Sequence, residues 1–379
     1  MAVDTPPQSE RPQPVRPAYG GACLDSLGPA LMAPPGQRPD WLPAPARQAE
    51  QVVLLVLDGL GWEQLVQRHA LAPTMADMVG GPITSVVPTT TATALTSIAL
   101  GQPPARHGVV GYRLAVDGPS GREVLNVLRW RTVSGDARPF LPPASFQPTP
   151  AFAGRGVPVV TRAEFLSSGF TVAHLSGARQ IGWWLPSAVP VEVKGQLEAG
   201  ERFVYAYYEG IDKCAHIFGF DRHYEAELVA ADRLVADLLA VLPAGAALVV
   251  TADHGQVEVA GATAAVDPAV AAETAMMSGE GRFRWLHARP DRLDALAGAA
   301  HARYDDEAWV WTVDQLDQGG WFGGPLTESV RRRLGDVALV PFLSRAYLDP
   351  ADTGEMRLVC RHGSLTTAEV LVPCLAAFR

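Results

Sequence analysis

Apolar runs and polar breaks alternate along most of this chain, and their spacing predicts strands and helices in turn. Gln51–Leu57 is an almost continuous apolar run stopped by Asp58-Gly59, the pattern of a central strand covered on both faces. Ile83–Val87 reads as a second strand, running into Pro88 and three threonines. Ala92, Leu95, Ile98 and Ala99 then recur at helical spacing until Gly101, so one of the threonines must cap a helix. Thr161 to Glu164 has capping-box spacing and predicts a short helix to Gly169, followed by a strand at Phe170–Leu175. Phe203–Tyr208 is another buried strand. Between His223 and Leu242 an amphipathic helix carries Leu228, Val235, Leu238 and Leu239 on one face, and Ala247–Thr251 is the strand that delivers Asp253 and His254.

Strands alternating with helices imply an α/β fold with a mostly parallel central sheet and helices on both faces. Ligands of such sheets gather at the carboxyl ends of the strands, and Asp58, Asp212 and Asp253 each follow a predicted strand. Two stretches do not read as core and are expected to be insertions framing the site: 102–158, rich in Pro and Gly with a hairpin-like Tyr112–Leu128, and 261–342, with its own strand Arg282–Ala288 and helix Asp291–Arg303. Residues 1–45 read as a proline-rich, partly disordered tail, with ordered structure expected to begin between Tyr19 and Trp41 and a catalytic domain over 46–379.

Composition narrows the function. Hydrophobic content of 48% against 19% charged residues excludes a disordered chain, and no apolar run reaches the roughly 18 residues of a membrane helix. A net charge of −9 argues against a partner such as a nucleic-acid duplex, which calls for a basic surface. Cys23, Cys214, Cys360 and Cys374 form no CxxC pair, and the N-terminus lacks the pattern of a secretory signal, so a reducing, cytoplasmic setting is the expectation. Nothing in the pattern speaks to oligomeric state.

Metal-type ligands are scattered over distant segments: Asp58, Thr91, Asp212 with His216, Asp253 with His254, and His362. Taken singly, each has an ordinary explanation as a turn, a cap or a packed histidine. Together they supply the donors that two cations roughly 4 Å apart need, beside a hydroxyl able to attack phosphorus. The segments VLDGLG at 56–61, VVPTTTATALTSIALG at 86–101, EGIDKCAH at 209–216, TADHG at 251–255 and RHGS at 361–364 resemble, in order and spacing, the alkaline phosphatase superfamily, and most of all its nucleotide pyrophosphatase/phosphodiesterase branch.

That resemblance implies an alkaline-phosphatase-like fold and two divalent ions, zinc being the expectation although manganese or iron suits the same donors. Asp58, Thr91, Asp253 and His254 would hold one ion, and Asp212, His216 and His362 the other. Thr91 would be the nucleophile: it is the fourth residue counting from Pro88 and lies ten before Gly101, as the family motif requires, with Thr89 and Thr90 as rivals. The substrate would be a small phosphate ester, a nucleotide among the candidates. Two departures matter. Tyr112 stands where diesterase relatives carry an asparagine after the His107-Gly108 loop, and Glu209 lies three residues before Asp212 where the monoesterase magnesium site calls for five. The readings to separate are therefore a phosphodiesterase or nucleotide pyrophosphatase with a phospho-threonine intermediate, a phosphomonoesterase or phosphonate hydrolase on the same metals, and a noncatalytic metal-binding protein. Trp183, Trp184, Tyr205 and Tyr207 read as core, with a stacking surface as the alternative.

Overall fold

A seven-stranded sheet forms the middle of the molecule. The computed structural model describes residues 11–352 and 357–379. The strand Gln51–Leu57 lies between Phe203–Tyr208 and Ala246–Thr251 and runs parallel to both. Outward on one side come Leu371–Phe378 and Val79–Thr84, and on the other Pro158–Arg162 and Arg179–Trp183. Leu371–Phe378 is antiparallel to both its neighbours, while the other pairings are parallel. Val52 through Leu57 are buried without alternation, so neither face of this strand is left wet. The α/β architecture read from the sequence is the architecture observed.

Three local expectations are corrected. The strand expected at Ile83–Val87 is Val79–Thr84: it pairs as an edge with Leu371–Phe378, from Thr84 opposite Leu371 to Val79 opposite Ala376, and its Gly80, Gly81 and Pro82 hide the alternation. Thr161 does not open a helix. It is a buried residue of the strand Pro158–Arg162, followed by a single 3-10 turn at Ala163–Phe165. The strand expected at Phe170–Leu175 is a helix, Gly169–His174, because the Ser168 hydroxyl accepts the Thr171 N–H at 3.0 Å and caps it, which outweighs the β-branched composition.

The stretch read as a tail joins the body earlier than Tyr19. Val15 N–H donates to the Leu365 carbonyl at 2.8 Å, the Arg16 guanidinium lies 4.2 Å from the Trp321 ring, and the helix Leu24–Met32 packs on Thr91–Leu100. Proline suppresses regular structure there without preventing packing; residues 1–10 of the expected tail lie outside the described residues.

Within 102–158 the hairpin is Arg113–Gly118 with Gly121–Asn126, extended by Arg131–Thr132 and Gly135–Asp136. Within 261–342 the strands Thr274–Glu280, Phe283–Ala288, Val337–Pro341 and Ala308–Thr312 form an antiparallel sheet, and the helix Leu293–Tyr304 closes a small core of its own around Leu286, Leu296 and Leu339. Among the described residues no helix is long and apolar enough to cross a membrane.

Candidate active site

Three adjacent strands end in acids, and adjacency brings the acids together. Asp58 follows Gln51–Leu57, Asp253 follows Ala246–Thr251, and Asp212 sits in the first turn of the helix Gly210–Phe218, which the chain enters from Phe203–Tyr208. Strands in a sheet lie about 4.8 Å apart, so their terminal loops share one rim. Backbone bonds lock them: Asp58 N–H donates to Tyr208 O at 2.9 Å, Asp212 N–H to Asp58 O at 3.0 Å, and Gly59 N–H to Asp253 Oδ1 at 3.0 Å. Gly59 has φ 76°, and a Cβ there would lie 2.5 Å from Gln256 Nε2 and 2.8 Å from Asp212 Cβ, so this turn requires glycine.

The three histidines arrive with one nitrogen already engaged. Nδ1 of His216 lies 2.7 Å from Cys360 O, Nδ1 of His362 lies 2.8 Å from Thr89 O, and Nδ1 of His254 lies 3.2 Å from Gly255 O. A carbonyl only accepts, so each Nδ1 carries the proton and each Nε2 keeps a lone pair for the site. The short pairing of Val257–Glu258 with Cys360–Arg361 carries His362 to the Asp253 loop, where its ring stacks on His254 with centroids 3.6 Å apart. His216 stands beside Asp212, Nε2 to Oδ1 at 3.2 Å.

This convergence leaves acceptors facing acceptors. His254 Nε2 lies 3.6 Å from Asp58 Oδ1 and 3.4 Å from Asp253 Oδ2, and both carboxylate oxygens are buried without a hydrogen-bond partner among the described residues. Burial, reinforced by Asp253 and Asp212, holds the Asp58 carboxyl well above the usual range; burial pushes Asp212 up to about 6 and also raises Asp253. The imidazoles move the other way: burial takes His254 down to about 3 and His362 well below its ordinary value. Buried carboxylates and neutral imidazoles aimed at each other are the donor set that a divalent cation satisfies. Among the described residues there are two such groups: Asp58, Asp253 and His254, and Asp212, His254 and His362, each with its ligand atoms within 4.8 Å of one another. His254 belongs to both, and His216 adjoins the second through Asp212.

The three threonines part company. Thr89 is fully buried; its hydroxyl donates to Ser364 O at 2.9 Å and accepts from Gly363 N–H at 3.0 Å, which fixes the His362 loop. Thr90 occupies the N-cap position of the helix Thr91–Leu100 without a side-chain cap bond. Thr91 opens the helix, its Oγ1 is 3.1 Å from His254 Nε2, and it lines both cavities of the site. One cavity, of about 260 Å³, is walled by Leu95, Phe165, Phe170, Leu175, Tyr205 and Tyr207; the other, of about 280 Å³, runs past His216 and His362 to Tyr112, Arg129 and Glu280. Both expected insertions thus contribute to this second wall.

Several residues gain roles that spacing did not assign. The Tyr207 hydroxyl donates to Asp58 Oδ2, Gln256 Nε2 donates to Asp212 Oδ1 at 2.8 Å, and Gln64 Nε2 holds the Gln256 carbonyl at 2.7 Å. Adjacency to TADHG was a signal for Gln256; for Gln64 there was none. Tyr112, which stands where diesterase relatives carry an asparagine, accepts the Asn126 amide on its hydroxyl at 2.6 Å, and Asn126 comes from the neighbouring strand of the hairpin. Glu209 is held by Arg162 at 2.7 Å. Tyr205 and Tyr207 are buried behind the apolar cavity, Trp183 is buried, and Trp184 is exposed. His107 is buried and bonded to Ser97 Oγ at 2.9 Å, with its Nδ1 accepting Val109 N–H at 3.1 Å.

The sequence profile described as Type I phosphodiesterase / nucleotide pyrophosphatase matches residues 52–175 and 184–313. The chain belongs to this family. It is a hydrolase of the phosphodiesterase/pyrophosphatase type within the alkaline phosphatase superfamily, as the five motifs led one to expect. Its fold is similar to that of murine ectonucleotide pyrophosphatase/phosphodiesterase 5, at 13% identity and TM-score 0.65 over 87% of this chain and 88% of that one. It is also similar to the human counterpart, at 12% identity and TM-score 0.62 over 86% and 88% of the two chains. Phosphonoacetate hydrolase from Sinorhizobium meliloti 1021 is similar at 18% identity and TM-score 0.58 over 87% and 90%. Among curated proteins there is no match.

Proposed function

We propose that this phosphodiesterase-family protein is a two-metal hydrolase of phosphodiester or pyrophosphate bonds that works through Thr91. What carries the reading is the close set of Thr91, His254, Asp58 and Asp253, in which two buried carboxylate oxygens lack a hydrogen-bond partner among the described residues. Asp58, Thr91, Asp253 and His254 would hold one ion and Asp212, His216 and His362 the other, with zinc favoured by the histidine content. When bound, the pair would supply positive charge that favours loss of the Thr91 proton and offsets charge on the phosphoryl oxygens.

Thr91 Oγ1 would attack phosphorus in line with the leaving oxygen, giving a phospho-threonine that water then hydrolyses. Its place at the head of a ten-residue helix suits this role, because the first N–H groups there have no intrahelical partner and the helix end favours an anion. Tyr112 takes over from the asparagine of relatives: with Asn126 donating to its oxygen, its own proton is free for a nonbridging phosphoryl oxygen. An inactive variant of the murine ectonucleotide pyrophosphatase/phosphodiesterase 5 has been solved in complex with AMP, which makes nucleotide esters the first substrates to try here.

The deciding experiment compares kcat/KM of the zinc-loaded protein for bis-p-nitrophenyl phosphate, p-nitrophenyl phosphate and phosphonoacetate. The diester is expected to lead. A monoester or phosphonate preference would shift the reading to the second class, for which Tyr112 in place of asparagine is the favouring observation. Bound metal without turnover of any of the three would leave a binding protein.

A further inference from the structure

Three consecutive residues divide the space around Thr91. Leu128 lines both the apolar cavity and the polar one. Arg129 lines the polar cavity together with Thr91, and also a wider cleft of about 680 Å³ beyond it. Trp130 turns away and is buried.

The turn that presents Arg129 is fixed on both sides. Trp130 has φ 52°, a region a bulky residue keeps only where its surroundings impose it. Its indole N–H donates to Leu141 O at 2.8 Å, its ring stands edge-on to Phe146 at 5.4 Å, and a Cβ on Gly169 would come within 2.3 Å of Trp130 Cβ. On the other side, Arg129 N–H donates to Asn126 Oδ1 at 3.0 Å, and the same Asn126 amide donates to the Tyr112 hydroxyl. The guanidinium therefore hangs from an ordered backbone, which lowers the entropy lost when it grips a ligand.

Its charge is not spent within the chain. Around the wide cleft, Arg113 is paired with Asp349 at 2.5 Å and Asp352 at 3.4 Å, and Arg122 with Asp117 at 3.1 Å. Glu123 is held by Ser134 Oγ at 2.6 Å and Ser120 N–H at 3.0 Å. Glu280, across the polar cavity, accepts Tyr112 N–H at 3.3 Å. Arg129 is exposed and its guanidinium has no ion-pair partner among the described residues.

We infer that Arg129 is the receptor for a negatively charged substituent on the substrate, a carboxylate or a further phosphate, so that the site takes asymmetric esters with an apolar group in the Phe165–Phe170 cavity and an anionic one toward the wide cleft. The inference rests on the phosphodiesterase reading above and names the substrate class for that site. Arginine suits the role because its planar fork matches both anions with two parallel N–H donors.

The test uses three substrates with one leaving group: p-nitrophenyl butyl phosphate, p-nitrophenyl carboxypropyl phosphate, and the counterpart ending in phosphate. The zinc-loaded protein is expected to favour an anionic member over the butyl ester by about tenfold in kcat/KM, the worth of one charge-assisted contact. Arg129→Ala should bring that ratio to near unity, Arg129→Lys should restore part of it, and added salt should shrink it in the wild type. A ratio unchanged by Arg129→Ala, or no preference in the wild type, overturns the inference and leaves the phosphodiesterase reading intact. Failure of the wild type to turn over all three overturns that reading and this inference with it.

Discussion

Thr91 Oγ1 lies 3.1 Å from Nε2 of His254, and the far nitrogen of that imidazole is tied to the Gly255 carbonyl. The hydroxyl thus meets a lone pair, and the ring is oriented by backbone, so a shift of the Asp253–Gly255 loop would be felt directly at Thr91. Thr89 is instead buried and doubly bonded to the His362 loop, and Thr90 caps the helix without a side-chain cap bond.

Replacement of Thr91 by alanine is expected to lower kcat for bis-p-nitrophenyl phosphate by about three orders of magnitude or more, the scale seen when a nucleophile is removed. Thr91→Ser should keep a measurable part, and Thr90→Ala should stay within about tenfold of wild type. Steady-state kinetics on zinc-loaded variants decides it. Full activity in the alanine variant would move the chemistry to another group.

Besides walling the apolar cavity, Tyr207 supports the candidate metal ligand Asp58. Its hydroxyl donates to Oδ2, leaving Oδ1 for the site. Phenylalanine there keeps the ring packed beside Phe165 and removes the donor, so zinc affinity should fall about tenfold, at the lower end of what supporting partners of metal ligands contribute. Competition with a chromophoric chelator measures this, and unchanged affinity would show that the bond does not position Asp58.

Most of the candidate site's convergence was legible because its logic is one-dimensional at each strand. An unbroken apolar run ending in an acid, as at Gln51–Leu57 and Ala246–Thr251, signals a buried parallel strand and puts the acid at the sheet's functional edge. What stayed hidden depends on registers between distant segments. Tyr207 reaches Asp58 because Val56 pairs with Tyr207 across two adjacent strands, although the two bonded residues lie 149 positions apart in the chain. Phe170–Leu175 misread as a strand because its composition spoke louder than one serine before it. The hairpin-like pattern of Tyr112–Leu128 includes Asn126, but that Arg129 comes to line a cavity with Thr91 depends on how 102–158 folds back on the sheet.

Gly59 is a second structural dependence. At φ 76° an alanine would be strained, and its methyl would press on Asp212 and Gln256. Gly59→Ala is expected to destabilise the protein by about 1–3 kcal/mol, the usual range for a residue forced into such a conformation. Urea denaturation at fixed zinc should show a lower midpoint together with weaker metal binding. A midpoint equal to wild type would mean that the turn relaxes freely.

Acid and metal should oppose each other in a defined window. In the metal-free chain the Asp212 carboxyl stands at about 6, above an ordinary value of about 3.9, so its contribution to stability is complete below the ordinary value and is lost as pH rises through about 6. His254, lowered to about 3 from an ordinary value of about 6.5, contributes fully above the ordinary value and loses that contribution as pH falls toward 3. At neutral pH the carboxylates therefore weigh on the metal-free fold, and a divalent cation removes that burden, whereas below about 6 the proton competes for Asp212. The rise in Tm on adding zinc should be largest near pH 7 to 8, shrink as pH falls through about 6, and vanish near pH 4, in step with activity; a chelator at pH 7.5 should abolish both. Thermal denaturation with and without zinc across this range measures it, and an increment independent of pH would mean that zinc binds somewhere other than these carboxylates and imidazoles.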